Sequence, residues 1–165
     1  MTYLDTSAIV KRYVVETGSD FVAHLLTHHR PIASSRIGFV EALAAFSRLE
    51  RAELISPEEH VAMCRNLERH FENYHVVNLT DDVVSLARDL AARHPLKALD
   101  LIHLACALNL ANRFGDYLCF AGADRQLLRA VEAEGIRVLD VETMSVPMQK
   151  TKRNSRRLKH PGTRA

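Results

Sequence analysis

Short apolar runs alternate along this chain with longer stretches of helical periodicity, and capping or turn residues mark the seams. Met1 to Leu4 is apolar and ends on Asp5-Thr6-Ser7, which predicts a buried strand and then a helix over Ala8 to Val14. A second helix is predicted from about Asp20 to His29, then a strand over Pro31 to Ser34, with Ser35 placed to cap a long helix from Arg36 to about Glu53. Ser56-Pro57-Glu58-Glu59 sets a serine cap, a proline at the first helical position and a glutamate three residues after the cap, so a capping box starts a helix that runs to about Phe71. Tyr74 to Leu79 reads as a strand, and Thr80-Asp81-Asp82 opens a helix ending near His94-Pro95. Ala98 to Asn112 is an Ala/Leu-rich helix, Tyr117 to Ala121 a strand, Arg125 to Glu134 a helix stopped by Gly135, and Ile136 to Leu139 a last strand.

Five short apolar strands separated by helices describe a mostly parallel sheet covered on both faces, a three-layer α/β/α sandwich. In such sheets ligands bind beyond the carboxyl ends of the strands, where the winding order switches. The 165 residues suit one domain, expected over residues 1–146, followed by a basic, disordered tail over 147–165. No apolar run approaches the roughly 20 residues of a membrane span, and no basic-then-apolar leader opens the chain, so the expectation is a cytoplasmic protein with no membrane partner. Cys64, Cys106 and Cys119 lie in apolar surroundings without metal-type spacing and are expected to be buried free thiols.

Charge changes the picture at one end only. Of 22 basic residues, seven fall after Pro147, where there is no acid, which leaves 15 against 20 acidic residues and a body charge of about −5. Lys150, Lys152, Arg153, Arg156 and Arg157 form the densest part of this tail and are candidates for neutralising phosphates, against the plainer reading of a solvated terminus.

Four acids stand out against their apolar neighbours. Asp5 ends the first strand, where it either caps the next helix or faces the crevice at the sheet's edge. Glu41 sits inside a helix on a face shared with Ile37, Ala44 and Ala45, and burying a lone carboxylate there implies a partner: Arg48 two turns away, or a metal ion. Asp100 shares a helical stripe with His103, Leu104 and Ala107, and is either a first-turn acid favoured by the helix dipole or a functional group. Asp124 follows a strand and precedes a helix, with the same choice of cap or function as Asp5. Carboxylates packed together raise one another's pKa values unless a cation sits among them, and oxygen ligands without His or Cys select Mg²⁺ or Mn²⁺ over zinc. That chemistry suits phosphodiester hydrolysis. His103 is expected to be structural or to support the acids, while His24 and His28, though spaced like a metal pair, lack the glutamate of a zinc protease motif. With six scattered glycines there is no phosphate-binding loop, and Ser7 occupies the place where an aspartate-nucleophile phosphotransferase needs its second acid.

Leu4-Asp5-Thr6-Ser7-Ala8, Val40-Glu41, Leu99-Asp100-Leu101-Ile102-His103-Leu104-Ala105 and Ala123-Asp124-Arg125-Gln126-Leu127, in this order and spacing, resemble the PIN-domain ribonucleases, and within them the toxins of VapBC toxin–antitoxin pairs. The resemblance spans residues 1 to about 142 and departs before the fourth acid, where relatives often carry Ser or Thr and this chain has Gly122-Ala123. It implies that Asp5, Glu41, Asp100 and Asp124 are catalytic and hold Mg²⁺ or Mn²⁺, with Thr6 and Ser7 orienting Asp5 by hydrogen bonds. It implies an endoribonuclease that leaves a 5′-phosphate and a 3′-hydroxyl, cuts a tRNA or rRNA, inhibits translation, pairs with a VapB-type antitoxin and forms a homodimer. A processing nuclease without toxin function, or a catalytically silent RNA- or partner-binding module, are the alternatives.

Overall fold

The computed structural model describes residues 1–28 and 31–146. Five strands form one all-parallel sheet: β1 (Thr2–Leu4), β2 (Ile32–Ser35), β3 (His75–Val77), β4 (Cys119–Gly122) and β5 (Arg137–Asp140), in the order β3-β2-β1-β4-β5. Seven helices connect them: α1 (Thr6–Val10), α2 (Ser19–His28), α3 (Arg36–Arg51), α4 (Pro57–Phe71), α5 (Asp81–Ala91), α6 (Ala98–Phe114) and α7 (Arg125–Ala133). The chain begins at the centre of the sheet, winds outward to β3, then returns to the other side of β1 to add β4 and β5. The reversal puts the switch point between β1 and β4, where Tyr3 pairs with Phe120 and Leu4 with Ala121.

Strand alternation sorts the core into two layers. Tyr3, Ala33 and Phe120 point into one, with Leu90, Leu104, Leu110 and Val131 from α5, α6 and α7. Leu4, Ile32 and Ala121 point into the other, with Ile9, Leu25, Phe46 and Leu67 from α1, α2, α3 and α4. This is the expected α/β/α sandwich, and its all-parallel sheet explains why the strands read as continuous apolar runs. Each large buried side chain contributes about 1.5–3 kcal/mol relative to exposure, and truncating fully buried Phe46 to alanine would cost about 3–5 kcal/mol.

Side-chain caps start most helices: Asp5 for α1, Ser35 for α3, Ser56 with Glu59 in a reciprocal box for α4, Thr80 for α5 and Asp124 for α7. The first helix is shorter than its periodicity predicts. It ends at Val10, and the chain tightens through bonds from Arg12 N–H to Ile9 C=O and Tyr13 N–H to Val10 C=O. Lys11 turns inward there. Its buried ammonium lies 3.3 Å from Glu16 and 2.9 Å from Glu142, tying this bend to the segment after β5. Gly18, at φ +91°, completes the contact, since a Cβ there would lie 2.4 Å from Val141 C=O. Gly115–Tyr117 is a single 3₁₀ turn and not the start of β4, and Tyr117 is exposed. Cys106 and Cys119 are buried thiols, whereas Cys64 is only half-buried. Among the described residues no helix is long and apolar enough to cross a membrane.

Candidate active site

Asp5 is placed by backbone before its side chain does anything. Its N–H donates to Ala121 C=O at 3.0 Å, which carries the β1–β4 pairing one residue past the strand and seats the carboxylate at the carboxyl end of β1, beside the switch point. Oδ1 then accepts from Ala8 N–H at 2.9 Å and Ser7 Oγ at 2.7 Å. The cap reading of Asp5 is therefore true, and it uses one oxygen only. Oδ2 accepts no hydrogen bond among the described residues and lies over Gly122, where a Cβ would sit 2.7 Å from it. Burial pushes the Asp5 carboxyl above its usual range, the charge of Glu41 adds to this, and His103, Ser7 and Ala8 N–H offset part of it.

Glu41, on α3, is neighbour to that crevice and has partners of a kind that helical spacing alone does not reveal. Its Oε2 accepts from Thr6 Oγ1 at 2.6 Å and lies 2.8 Å from His103 Nε2 on α6. Arg48 acts on it only as a charge. Thr6 correspondingly does not support Asp5; it bonds Glu41 and, at 3.1 Å, His103, so Ser7 alone fulfils the orienting role expected of the pair. Across the ring, His103 Nδ1 lies 2.9 Å from the hydroxyl of buried Tyr3. Thr6 donates to Glu41, and a ring proton on Nε2 directed at Glu41 leaves Nδ1 to accept from Tyr3, so every member of the chain Tyr3–His103–Glu41–Thr6 has a partner of the right sense. Although burial alone would raise the Glu41 carboxyl, the bonds from His103 and Thr6, with the charge of Arg48 nearby, hold it below the usual glutamate range.

Asp100 lies in the first turn of α6, which begins at Lys97 without a side-chain cap. Its carboxyl is raised by burial and then by the charge of Asp124, with Glu41 contributing in the same sense and His103 and Lys97 opposing. Asp124 is exposed and caps α7, its Oδ1 accepting from Gln126 and Leu127 N–H at 2.8 and 2.9 Å. The four acids thus share one electrostatic neighbourhood at the carboxyl edge of the sheet, and none is ion-paired with a lysine or arginine among the described residues. They do not form a closed coordination sphere: among the described residues no group of three or more His, Cys, Asp or Glu side chains is arranged to hold a metal ion. The donor set nevertheless suits a hard divalent cation, since every oxygen is a carboxylate and mutual repulsion is what such an ion relieves. Lys150, Lys152, Arg153, Arg156 and Arg157 fall outside the described residues.

Sequence reasoning passed over two glycines. Gly122 leaves room for Asp5, and the neighbouring Ala123 N–H donates to Ser7 Oγ at 2.8 Å, so the backbone helps to seat the hydroxyl that orients Asp5. Gly38 lets α3 approach α6: a Cβ there would sit 2.9 Å from Ser34 Oγ and 3.2 Å from His103. A glycine two residues before an acid that follows a strand is the one signal that pointed to the first; nothing in the spacing pointed to the second.

Comparison with known proteins bears on this arrangement. A family model described as PIN domain matches residues 2–112, which include Asp5, Glu41, Asp100 and His103 and stop short of Asp124. Ribonuclease VapC45 of Mycobacterium tuberculosis (strain CDC 1551 / Oshkosh) is 33% identical over 138 residues, covering 84% of this chain and 94% of that protein. The crystal structure of FitAcB from Neisseria gonorrhoeae superposes with a TM-score of 0.68 at 15% identity, covering 87% of this chain and 100% of that one. A toxin-antitoxin complex from Klebsiella pneumoniae gives a TM-score of 0.55 at 15% identity, covering 75% of this chain and 87% of that one.

Proposed function

This chain belongs to the PIN-domain family, and on that premise we propose that it is a Mg²⁺- or Mn²⁺-dependent endoribonuclease, the toxin of a toxin–antitoxin pair that arrests translation by cutting a tRNA or rRNA in the cytoplasm. The observation that carries the reading is the seat of Asp5: a buried carboxylate at the switch point, with one oxygen fixed by two donors and the other accepting no hydrogen bond among the described residues, within the charge field of Glu41, which acts with Asp124 on Asp100 as well. The relative at 33% identity carries the name of a ribonuclease, which favours RNA as the substrate.

Each residue has a part that its surroundings suit. Asp5, Asp100, Glu41 and Asp124 would hold the cation, Asp5 through Oδ2 because Oδ1 is committed to Ser7 and Ala8. The cation when bound supplies charge neutralisation and Lewis acidity at the phosphate. Glu41 is kept ionised by Thr6 and His103 through Oε2, and its Oε1 accepts no hydrogen bond among the described residues, which leaves that oxygen for the cation. The products would carry a 5′-phosphate and a 3′-hydroxyl.

Incubating purified protein with RNA, with and without Mg²⁺ or Mn²⁺, tests the site directly. Asp5→Asn and Asp100→Asn should each lower cleavage by about 100-fold or more, and undiminished cutting by both would end the assignment. The fold-level likeness to a toxin-antitoxin complex supports an antitoxin partner, and the acid cluster would attract a basic segment of that partner. Growth arrest on expression, relieved by co-expression of a small protein from a neighbouring reading frame, is expected of a toxin; a processing enzyme would not be neutralised in this way. A homodimer is the expected assembly, measured by mass in solution.

A further inference from the structure

The opposite edge of the sheet carries a second feature that the ribonuclease reading leaves unused. A cavity of about 570 Å³ opens below the amino ends of β2 and β3, with Leu26, Pro31 and Ile32 on one side and Arg12, His70 and Tyr74 on the other. Its volume lies in the range of sites for small organic ligands and far exceeds the needs of a single ion.

The chemistry of the cavity centres on Arg12. Its guanidinium is held at two points, by His70 Nε2 at 2.8 Å and by the Tyr74 hydroxyl at 3.4 Å, and both are neutral acceptors. Burial, then the charges of Arg12 and Arg69, hold the His70 pKa below the usual histidine range, so the ring is uncharged at neutral pH. With Nε2 accepting from Arg12, the ring proton sits on Nδ1 and is given to the Tyr13 hydroxyl at 2.7 Å. No carboxylate forms an ion pair with Arg12 among the described residues. A half-buried cation, fixed by neutral groups and lining a cavity in a body whose acids outnumber its bases, has no carboxylate partner among the described residues. Arginine held in a planar, oriented state favours oxyanions that accept two parallel N–H donors.

We propose that this cavity is a binding site for a small phosphate-bearing organic molecule, its anionic group on Arg12 and its apolar body against Leu26, Pro31 and Ile32. The site is separate from the acid cluster and does not rest on the ribonuclease reading.

The test is a titration of the ¹⁵N-labelled full chain, kept free of divalent cations by a chelator, with 5′-AMP, inorganic phosphate and acetate as three separate probes. AMP should bind saturably and more tightly than the two bare anions, moving the amide signals of Leu26, Ile32, His70 and Asn73 while those of Asp5 and Glu41 stay in place. Arg12→Gln should weaken binding about tenfold or more, with Arg12→Lys between the two; melting curves of both variants control for folding. Absence of saturable AMP binding, shifts confined to the acid cluster, or unchanged affinity in Arg12→Gln would each overturn the proposal. Inorganic phosphate binding as tightly as AMP would remove the role given to the apolar wall, and binding of an RNA oligomer without binding of AMP would overturn the small-molecule assignment.

Discussion

Asp5 shows most directly what the site costs the fold. Its carboxyl is raised in the folded state above the ordinary 3.8, so the ionised form present at neutral pH is disfavoured by folding, and stability returns as pH falls through the folded value toward the ordinary one. Asp5→Asn keeps the cap to Ala8 and removes the charge, and should raise the unfolding free energy of metal-free protein at pH 7 by about 1 kcal/mol. That advantage over wild type should shrink as pH drops toward 3.8, measured by urea denaturation across pH. Asp100 shifts the same way, while Glu41 shifts oppositely: its stabilising bonds are fully present above 4.5 and fade as pH falls through its lowered folded value. His103→Ala removes the partner of both Tyr3 and Glu41 and opens a void, which should cost about 2–4 kcal/mol in denaturation experiments. Gly122→Ala should lower cleavage about tenfold or more by displacing the Asp5 carboxylate, with a stability loss of about 1–3 kcal/mol; unchanged cleavage would show that the carboxylate has room to move. All four acids were visible in the sequence because each stands beside an apolar element, Asp5 and Asp124 just beyond strands and Glu41 and Asp100 within helices. The exchange by which Thr6 supports Glu41, and His103 takes the place suggested for Arg48, was not, because it depends on how three separate helices cross.

Helices were the most legible level, and the reason is chemical. Ser35, Ser56, Thr80 and Asp124 each announce a helix start by a side chain whose bond to the backbone is local, so the prediction needs no tertiary knowledge. Ser56→Ala breaks the reciprocal bonds with Glu59 and should destabilise by about 1 kcal/mol. RNA cleavage should stay unchanged in that variant, since α4 contributes no acid to the crevice. Where the ends were misjudged, distant groups decide. α1 closes early as Lys11 turns to meet Glu142, and β4 starts at Cys119 because the preceding residues coil into a 3₁₀ turn. Neither effect leaves a local trace in composition.

On the scale of the molecule, the sandwich and its edge-located acids followed from strand–helix alternation, whereas the strand order that joins β1 to β4 did not. A cation that binds only the native state should stabilise it by about 2.7 kcal/mol at a hundred times its dissociation constant. Thermal melts with rising Mn²⁺ should show this gain in wild type and lose it in Asp5→Asn. Deleting residues 148–165 should flatten the salt dependence of RNA binding if the basic segment meets phosphates; an unchanged slope would deny it that role. The central position of β1 also governs when the crevice comes into being during synthesis. The backbone that seats Asp5, Ala121 C=O and Ala123 N–H, is made more than a hundred residues after it. A nascent chain halted before Gly122 therefore has no assembled centre, so the translating ribosome is not exposed to the finished crevice until nearly the whole domain has been made.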